Sequence, residues 1–403
     1  MQWLLRDVDV LGRGRRDIAL DGGAIIDPAL VGPAARSVGC SGLVALPALV
    51  DPHTHLRDPG AGDAETIATG LRAAAAGGYG AVFVMANTEP VADTAAVVEY
   101  ERDTAERAGL CDLHPIGAVT KGLAGQELAD LEAMASSRAA VRMFSDDGMC
   151  VGRSDLMREA LERISALGGV LAQHSQDLAL TAGAQLDEGE LSRALGMTGW
   201  PAMAESTIIA RDAIMAGHLG ARLHVCHIST ATGVEVVRWA KAQGFQVTAE
   251  ATPHHLALDS GATAAGDPDF KVNPPLRGTA DVAAVREGLL DGTIDMIGTD
   301  HAPHPDSAKG CDWSRAANGM LGLETALAVV AELFVRTGRM SWAQLADRMS
   351  TRPAGLLGPR ARAGALVAGP RGPAGRAGLT HAGHRSPPVR GPGERSGAAR
   401  RPA

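Results

Sequence analysis

Two histidines follow a short apolar segment near the start of the chain. Residues 43–50 are mainly aliphatic and end at the turn-forming pair Asp51-Pro52, after which His53 and His55 follow at once. Residues i and i+2 of a strand share one face, so both imidazoles can approach one ion at the carboxyl end of a buried strand. Histidine nitrogens are common zinc ligands. The pattern therefore predicts a metal site at this strand end.

Polar side chains of the same kind recur after four further apolar segments. They are Asp146 and Asp147, His174, His227, and Asp300 with His301 and His304. Imidazoles and carboxylates without a thiolate suit zinc, with manganese or cobalt as substitutes, whereas an all-oxygen set would favour calcium or magnesium. Four histidines and two carboxylates exceed the needs of one tetrahedral zinc ion. The set therefore indicates either two metals bridged by a carboxylate and a hydroxide, or one metal with some of these residues serving catalysis.

The order of the apolar segments predicts the fold. Eight strand candidates alternate with Ala-rich amphipathic helices, at residues 43–50, 81–85, 113–118, 141–144, 170–173, 222–226, 246–249 and 295–298. This alternation is typical of an α/β protein with a (β/α)8 TIM-type barrel, whose functional residues gather at the C-terminal ends of the strands. We expect the barrel over residues 47–357. Residues 1–46, where short apolar runs alternate with turn signals, predict a small β unit.

Composition limits the class of protein. At 403 residues the chain can bury a large core, and with only 3% aromatic residues that core must be mainly aliphatic. No run of about 18 apolar residues occurs, and the N-terminus lacks a basic segment followed by an apolar run, so we expect a cytoplasmic protein without a membrane span. The five scattered cysteines lack C-x-x-C spacing, which argues against a disulfide framework or a structural zinc module.

Charge divides the chain into two parts. From Pro359 onward there are nine Arg and one Glu, whereas the preceding residues carry 29 basic and 45 acidic side chains and a net charge of −16. An acidic body does not suit a nucleic-acid-binding protein. Residues 358–403 are rich in Gly, Pro and Arg and lack apolar periodicity, which is typical of disorder. A frameshift in the coding sequence would produce such an ending, and a divergent tail is the alternative.

Taken together, the motifs resemble those of the dihydroorotase family in the amidohydrolase superfamily, and most closely the long bacterial type, class I, which lacks a carboxylated lysine. They run in the family's order over residues 1–357. The motifs are Asp51-Pro-His-Thr-His-Leu-Arg57, Asn87, Phe144-Ser-Asp-Asp-Gly148, His174, His227-Ile-Ser-Thr230, Asn273-Pro-Pro-Leu-Arg277 and Asp300-His-Ala-Pro-His304. Ala48 and Asp58 replace the usual Gly and Glu. Beyond residue 358 the family's usual return to a β-sandwich with the N-terminal strands is missing.

The resemblance implies a role for each site residue. The implied metal ligands are His53 and His55 for one metal, His174 and His227 for a second, and Asp147 as the bridge, with Asp146 as the competing choice. Asp300 would be both a metal ligand and the catalytic acid/base. The implied substrate contacts are Arg57, Asn87 and His304 for a carboxylate, and Asn273 with the backbone at Asn318 and Gly319 for the ring. With one or two zinc ions, the implied reaction is the reversible cyclisation of N-carbamoyl-L-aspartate to L-dihydroorotate in pyrimidine biosynthesis.

Two other functions remain open. Hydantoinases and allantoinases share the barrel but typically bridge the metals with a lysine carbamate, and none of Lys121, Lys241, Lys271 and Lys309 follows that pattern. A non-catalytic dihydroorotase-like scaffold for aspartate carbamoyltransferase would generally lack metal ligands, which are all present here. We expect a homo-oligomer, and association with that transferase is compatible with an active enzyme.

Overall fold

The computed structural model describes residues 1–60, 62–357 and 366–370. It shows the predicted α/β class, with a sheet built mainly from N-terminal strands and a series of parallel strands that alternate with helices. Within these ranges no helix is both long enough and apolar enough to cross a lipid bilayer. Residues 358–365 and 371–403, which include most of the segment predicted to be disordered, lie outside the described residues.

The N-terminal sheet is organised around its first strand. Its strands are β1 (Gln2–Val10), β2 (Arg15–Asp21), β3 (Ala24–Ile26), β4 (Arg36–Gly39) and β5 (Leu43–Pro47). Strand β1 pairs antiparallel with β2 and parallel with β4 and β5, and β2 pairs antiparallel with β3. Val8, Ile18, Cys40 and Ala45 form a small apolar core of their own beneath these strands. The short strands and turns predicted for this segment are therefore present.

One strand of this sheet comes from the C-terminal part of the chain. Strand β16 (Leu366–Pro370) pairs antiparallel with β5, from Leu366 opposite Pro47 to Pro370 opposite Leu43. The expectation that the N-terminal strands have no C-terminal partner is wrong at this edge. Five residues are too few to show apolar periodicity in a Gly- and Pro-rich segment. An edge strand, however, needs backbone hydrogen bonds to one neighbour only.

Parallel strands carry the rest of the fold. They are β6 (Leu49–Thr54), β7 (Tyr79–Val84), β8 (Asp112–Pro115), β9 (Met143–Ser145), β10 (Val170–Gln173), β13 (Leu223–Val225), β14 (Val247–Ala251) and β15 (Met296–Ile297), with β11 (Leu186–Asp187) and β12 (Gly199–Trp200) as a separate pair. One sheet has the order β6-β7-β8 and another the order β9-β10-β13-β14-β15. Parallel bridges join Gly117 to Phe144 and Thr54 to His301. Each end of one sheet is thus bridged to an end of the other.

The first predicted barrel strand is two strands in the structure. Residues 43–50 divide at Pro47-Ala48, so that β5 ends at Pro47 and β6 begins at Leu49. Strand β5 pairs with β1 and β16, whereas β6 pairs with β7. An aliphatic run without polar residues cannot reveal that its two halves belong to different sheets. The Ala48 carbonyl at the division accepts a hydrogen bond from Ser350 Oγ at 2.7 Å.

Helices follow most of the parallel strands. They are α1 (Ile67–Gly77), α2 (Ala95–Ala108), α3 (Leu131–Ser136), α4 (Ser154–Ala166), α5 (Glu190–Leu195), α6 (Met203–Leu219), α7 (Ala231–Ala242), α8 (Pro253–Ala257), α9 (Thr279–Asp291), α10 (Asp306–Lys309), α11 (Ala326–Val330), α12 (Trp342–Ala346) and α13 (Arg352–Ala354). Helix α1 begins at a capping box formed by Thr66 and Thr69, and ends where Gly78 adopts a left-handed φ of 89°.

Apolar side chains form two main clusters. The larger cluster joins the helices to the parallel strands, with Leu71, Ile164, Val237 and Leu289 among its helical members. The smaller cluster consists mainly of residues in the parallel strands or directly after them. Its members include Val50, Phe83, Ile116, Met143, Val170, Ala172, Cys226 and Met296. These aliphatic contacts hold the strands whose C-terminal ends carry the polar side chains.

The close approach of α1 to a later loop gives a stability prediction. A Cβ atom at Gly77 would lie 2.1 Å from the carbonyl oxygen of Leu323. Since a backbone atom cannot move away cheaply, we expect Gly77→Ala to lower the free energy of unfolding by about 3 kcal/mol. Urea denaturation would measure this. Gly152→Ala is the matched control, because no atom lies within 4 Å of its Cβ position. Equal stability of the two variants would contradict the packing described here.

Candidate metal centre

The predicted metal ligands converge at the C-terminal ends of the strands. His53 lies within β6 and His55 directly after it, while Asp147, His174, His227 and Asp300 follow β9, β10, β13 and β15. All six side chains are buried. Their ligand atoms form overlapping clusters in which the members lie within 4.8 Å of one another. The structure therefore brings together residues that are as much as 247 positions apart in the sequence.

Asp147 lies between two pairs of histidines. Its Oδ2 is 3.5 Å from His53 Nε2 and 3.3 Å from His55 Nε2. Its Oδ1 is 3.4 Å from His174 Nδ1 and 3.2 Å from His227 Nε2. Each carboxylate oxygen thus faces one pair of histidines.

The neighbouring carboxylate has a different environment. Asp146 Oδ1 accepts hydrogen bonds from the backbone N–H groups of Val119 and Thr120 at 2.8 and 2.9 Å, and its Oδ2 accepts one from the Thr120 hydroxyl. It therefore secures the loop after β8. Of the two adjacent aspartates, the structure brings Asp147 to the histidines.

Asp300 completes the cluster on the side of β6. Its Oδ1 lies 3.0 Å from His55 Nε2 and 3.5 Å from His53 Nε2. Asp300, Arg57 and His227 all have positive φ angles, of 48°, 57° and 30°. Non-glycine residues in this conformation are strained, and such strain concentrates at functional sites. Three residues predicted for the site thus share an unfavourable backbone conformation.

Neighbouring side chains orient three of the four histidine rings. Nδ1 of His53 donates a hydrogen bond to Glu250 Oε1 at 2.6 Å, and Nδ1 of His55 donates one to Asn87 Oδ1 at 2.8 Å. Nε2 of His174 donates one to Gln176 Oε1 at 2.8 Å. In each ring the other nitrogen faces Asp147, so it can present a lone pair to a metal.

Sequence reasoning missed Glu250 and Gln176 and assigned Asn87 to the substrate alone. A carboxylate in the strand Val247–Ala251, whose other residues are Val, Thr and Ala, is the signal that could have revealed Glu250. For Gln176 the only signal is its position two residues after His174. The structure places the Asn87 side chain against the His55 ring.

The carboxylates of the centre are held ionised. Burial opposes ionisation of Asp147, yet the charge of His53 and hydrogen bonds from His174 and His227 bring its pKa well below the usual value. Burial also opposes charging of His53, but Asp147, Glu250 and Asp300 raise its pKa well above the usual value. Burial likewise opposes ionisation of Asp300, but the charge of His53 and a hydrogen bond from His55 bring its pKa below the usual value. The surplus of negative charge suits a bound cation.

The predicted carboxylate-binding residues lie together beside the centre. Arg57 Nη2 is 3.4 Å from His304 Nε2, and Arg57 Nε donates a hydrogen bond to the Pro303 carbonyl at 3.3 Å. His304 Nε2 also donates to the Asn318 carbonyl at 2.8 Å. Burial, followed by the charge of Arg57, lowers the pKa of His304 to about 4, so the imidazole is neutral near pH 7. Arg57 is therefore the positively charged member of the predicted carboxylate-binding residues.

The residues predicted to contact the substrate ring lie on two sides of the candidate metal centre. Asn273 Nδ2 donates a hydrogen bond to Gln176 Oε1 at 3.1 Å, which places Asn273 near His174. Gly319 is buried with a φ of 148°, and a Cβ atom there would lie 2.5 Å from the Ala302 carbonyl oxygen. A glycine is therefore required where this loop passes the strand end that carries Asp300.

A further buried histidine was not predicted from the sequence. His254 follows β14, the strand between those that carry His227 and Asp300. Its Nε2 is buried and has no hydrogen-bond partner among the described residues. Burial lowers its pKa to about 4, with the charge of Asp300 acting in the opposite direction. A neutral imidazole therefore lines the same strand ends.

The lysines are engaged elsewhere. Lys121 pairs with Glu127 and Lys241 with Asp295, at 3.1 and 2.6 Å. Lys271 donates to Gln185 Oε1 and the Trp313 carbonyl, and Lys309 donates to three backbone carbonyls. All four lysines of the sequence are described, and these partners lie outside the cluster of histidines and aspartates. Asp147 occupies the position between the histidine pairs instead.

Solved structures of cyclic-amide hydrolases share this fold. The L-hydantoinase (dihydropyrimidinase) of Arthrobacter aurescens superimposes with a TM-score of 0.76 at 24% sequence identity, covering 88% of this chain and 82% of that one. A D-hydantoinase superimposes with a TM-score of 0.75 at 20% identity, covering 91% and 86%. The chain therefore shares the fold of these hydantoinases, and its buried cluster of histidines and aspartates lies at the strand ends of that fold.

Comparison with sequence relatives identifies the family more narrowly. A family profile described as "Dihydro-orotase-like" matches residues 42–233. The dihydroorotase of Streptomyces coelicolor is 55% identical over 353 residues, 87% of this chain and 82% of the relative, and that of Leifsonia xyli is 57% identical over 342 residues, 84% and 78%. The dihydroorotase of Mycobacterium tuberculosis is 49% identical over 358 residues, 88% and 83%. The chain belongs to the dihydroorotase family, which confirms the resemblance seen in its motifs.

Proposed function

We propose that this protein is a zinc-dependent dihydroorotase that interconverts N-carbamoyl-L-aspartate and L-dihydroorotate, a step of pyrimidine biosynthesis. The observation that carries the proposal is the position of Asp147 between two histidine pairs, with Arg57 and His304 beside them. The relatives named dihydroorotase support the same reaction.

The residues present fit a metal. His53 Nε2 is fully buried and has no hydrogen-bond partner in the described part of the chain, although Asp147 and Asp300 lie 3.5 Å from it. An imidazole nitrogen buried among carboxylates in this way is suited to an ion. Histidine and aspartate ligands favour zinc over calcium or magnesium. Because each oxygen of Asp147 faces a separate histidine pair, we propose two zinc ions per chain, although one would also fit part of the set.

Asp300 is the proposed acid and base. The chemistry that bound zinc supplies is polarisation of the amide carbonyl and a lower pKa for the attacking water. Asp300 is ionised and lies at the edge of the cluster, so its carboxylate can accept the proton of that water. The same carboxylate then delivers the proton to the departing amide nitrogen. In the direction of cyclisation both proton transfers are reversed.

Arg57 is the proposed partner of the substrate carboxylate. A guanidinium offers two parallel N–H groups to a carboxylate, a geometry that a lysine ammonium cannot reproduce. Asn87 and His304 add neutral contacts on either side, while Asn273 and the backbone at Asn318 and Gly319 contact the ring. This arrangement favours dihydroorotate, which carries a carboxylate, over the uncharged ring of hydantoin.

Arg57→Lys tests this substrate assignment. We expect KM for L-dihydroorotate to rise about 10- to 100-fold, because a charge-assisted hydrogen bond contributes about 1.5–3 kcal/mol. Turnover of dihydrouracil, which has no carboxylate, should remain as slow as in the wild type. Steady-state kinetics on both substrates measures the difference. Arg158→Lys, at an exposed arginine paired with Glu162 on α4, is the control. An unchanged KM for L-dihydroorotate in Arg57→Lys would refute the assignment.

We also propose that the parallel strands close into a (β/α)8 barrel. The bridges from Gly117 to Phe144 and from Thr54 to His301 support closure, since they link the two sheets at both ends. The proposed domains are a β unit over residues 1–46, the barrel over residues 47–357 and a tail over residues 358–403, of which Leu366–Pro370 joins the β unit as β16. With β16, the β unit corresponds to part of the β-sandwich expected in the family.

The remaining proposals concern assembly and location. We propose a homo-oligomer in the cytoplasm, able to associate with aspartate carbamoyltransferase while active. The complete ligand set favours an active enzyme over a non-catalytic scaffold. Analytical ultracentrifugation of the protein, alone and mixed with the transferase, tests both associations, and a monomer that sediments unchanged in the mixture would refute them.

A further inference from the structure

Glu250 is a buried carboxylate that contacts the metal centre without being one of its proposed ligands. It lies in β14, between the strands β13 and β15 that lead to His227 and Asp300. Its side chain is fully buried, and its two oxygens face different partners. A charge in such a position is costly unless it is well paired. The identity of its partners therefore indicates what it does.

One oxygen of Glu250 contacts both halves of the centre. Oε1 accepts a hydrogen bond from His53 Nδ1 at 2.6 Å and one from the backbone N–H of His227 at 3.3 Å. His53 belongs to one histidine pair around Asp147 and His227 to the other. A single oxygen atom thus fixes a ring in the first pair and the backbone of a residue in the second, whose φ of 30° is unfavourable.

The other oxygen lies close to a further buried histidine. Oε2 lies 3.2 Å from His224 Nε2, and His224 Nδ1 is 2.9 Å from the Thr248 hydroxyl. A Cβ atom at Gly298 would lie 2.4 Å from Oε2, so the neighbouring strand leaves space for this carboxylate and for little else. The position of Glu250 is therefore tightly determined.

The contact with His53 determines which nitrogen is available to an ion. An imidazole that donates from Nδ1 to a carboxylate keeps its lone pair on Nε2. In His53 that nitrogen lies 3.5 Å from Asp147 Oδ2 and from Asp300 Oδ1. Without the acceptor, the ring would be free to rotate or to place its proton on Nε2, and either change would remove a ligand.

We infer that Glu250 is a positioning residue that holds His53 and His227 for zinc, and so couples the two halves of the metal centre. The inference rests on the proposed zinc centre and extends it to a residue outside the ligand set. Partners that orient metal-binding histidines typically contribute 10- to 100-fold to metal affinity. Removing the charge of Glu250 should therefore weaken zinc binding while leaving the reaction chemistry available.

The test compares zinc affinity in the full-length protein with Glu250→Gln and Glu101→Gln. Glu101 is the matched control, because it is also fully buried but neither oxygen has a hydrogen-bond partner among the described residues, and it is not part of the ligand clusters. Zinc is removed from each protein and returned in competition with a chromophoric chelator. Circular dichroism of the metal-free proteins verifies folding, and Glu250→Asp, which keeps the charge but shortens the side chain, replaces Glu250→Gln if the latter does not fold.

We expect Glu250→Gln to bind zinc about 10- to 100-fold more weakly than the wild type, with activity recovering in excess zinc. Glu101→Gln should bind within about twofold of the wild type, as expected for a site without a ligand contact. Wild-type affinity in folded Glu250→Gln or Glu250→Asp would overturn the inference, as would inactivity with zinc tightly bound. If the wild type itself bound no zinc, both the proposed metal centre and this inference would be refuted.

Discussion

Replacing Asp300 with asparagine is expected to lower kcat for dihydroorotate hydrolysis by about 10³-fold, within the range that a positioned acid or base contributes. Asparagine keeps the size of the side chain but cannot accept a proton at neutral pH. Asp300 lies 3.0 Å from His55 and is held ionised, so its carboxylate can take a proton at this edge of the site. Steady-state kinetics with zinc content measured on the same sample would show the loss.

Asp259→Asn is the control for this substitution. Asp259 caps a short 3₁₀ turn by accepting a hydrogen bond from Gly261 N at 2.8 Å, a role that asparagine can also fill. Its kcat should match that of the wild type. If zinc-loaded Asp300→Asn retained more than about a tenth of the wild-type kcat, proton transfer would have to be assigned to another group, because a general acid or base contributes at least 10²-fold.

A second large effect is expected at the proposed bridge. Asp147→Asn should lose at least one bound zinc ion per chain, because it removes the charge between the two histidine pairs. Activity should fall by at least about 100-fold, since the Lewis-acid contribution of a catalytic metal amounts to several kcal/mol. Metal analysis after dialysis, together with kinetics, measures both losses.

Asp146→Asn is the matched control at the adjacent residue. Its carboxylate serves the backbone of Val119 and Thr120, so this variant should keep its zinc and lose about 1–3 kcal/mol of stability through an imperfectly satisfied loop. The two variants therefore separate metal binding from loop anchoring. The reverse pattern, with zinc lost from Asp146→Asn and retained by Asp147→Asn, would show that the bridge is assigned to the wrong residue.

Features with a local or periodic signal could be predicted from the sequence. Each of the eight apolar segments contains strand residues in the structure, because burial of a parallel strand leaves a continuous aliphatic run. The six metal-ligand candidates converge because the C-terminal ends of neighbouring parallel strands lie at one edge. The expectation that these strand ends meet was enough to group His53 with Asp300.

Features that depend on long-range partners could not be predicted. A carboxylate in a strand marks Glu250 as unusual, but its role depends on the contact with His53, 197 residues away. The division of residues 43–50 between two sheets depends on pairing with β1 and β7, and the pairing of Leu366–Pro370 with β5 depends on an exposed backbone edge. Side-chain periodicity carries no information about any of these contacts.

The most direct test of the account is hydrolysis of L-dihydroorotate by the purified protein before and after removal of its metal. We expect activity that disappears on treatment with a zinc chelator, returns when zinc is added, and greatly exceeds activity on hydantoin and dihydrouracil under the same conditions. Activity unaffected by the chelator, or a preference for hydantoin, would contradict the proposed zinc-dependent dihydroorotase.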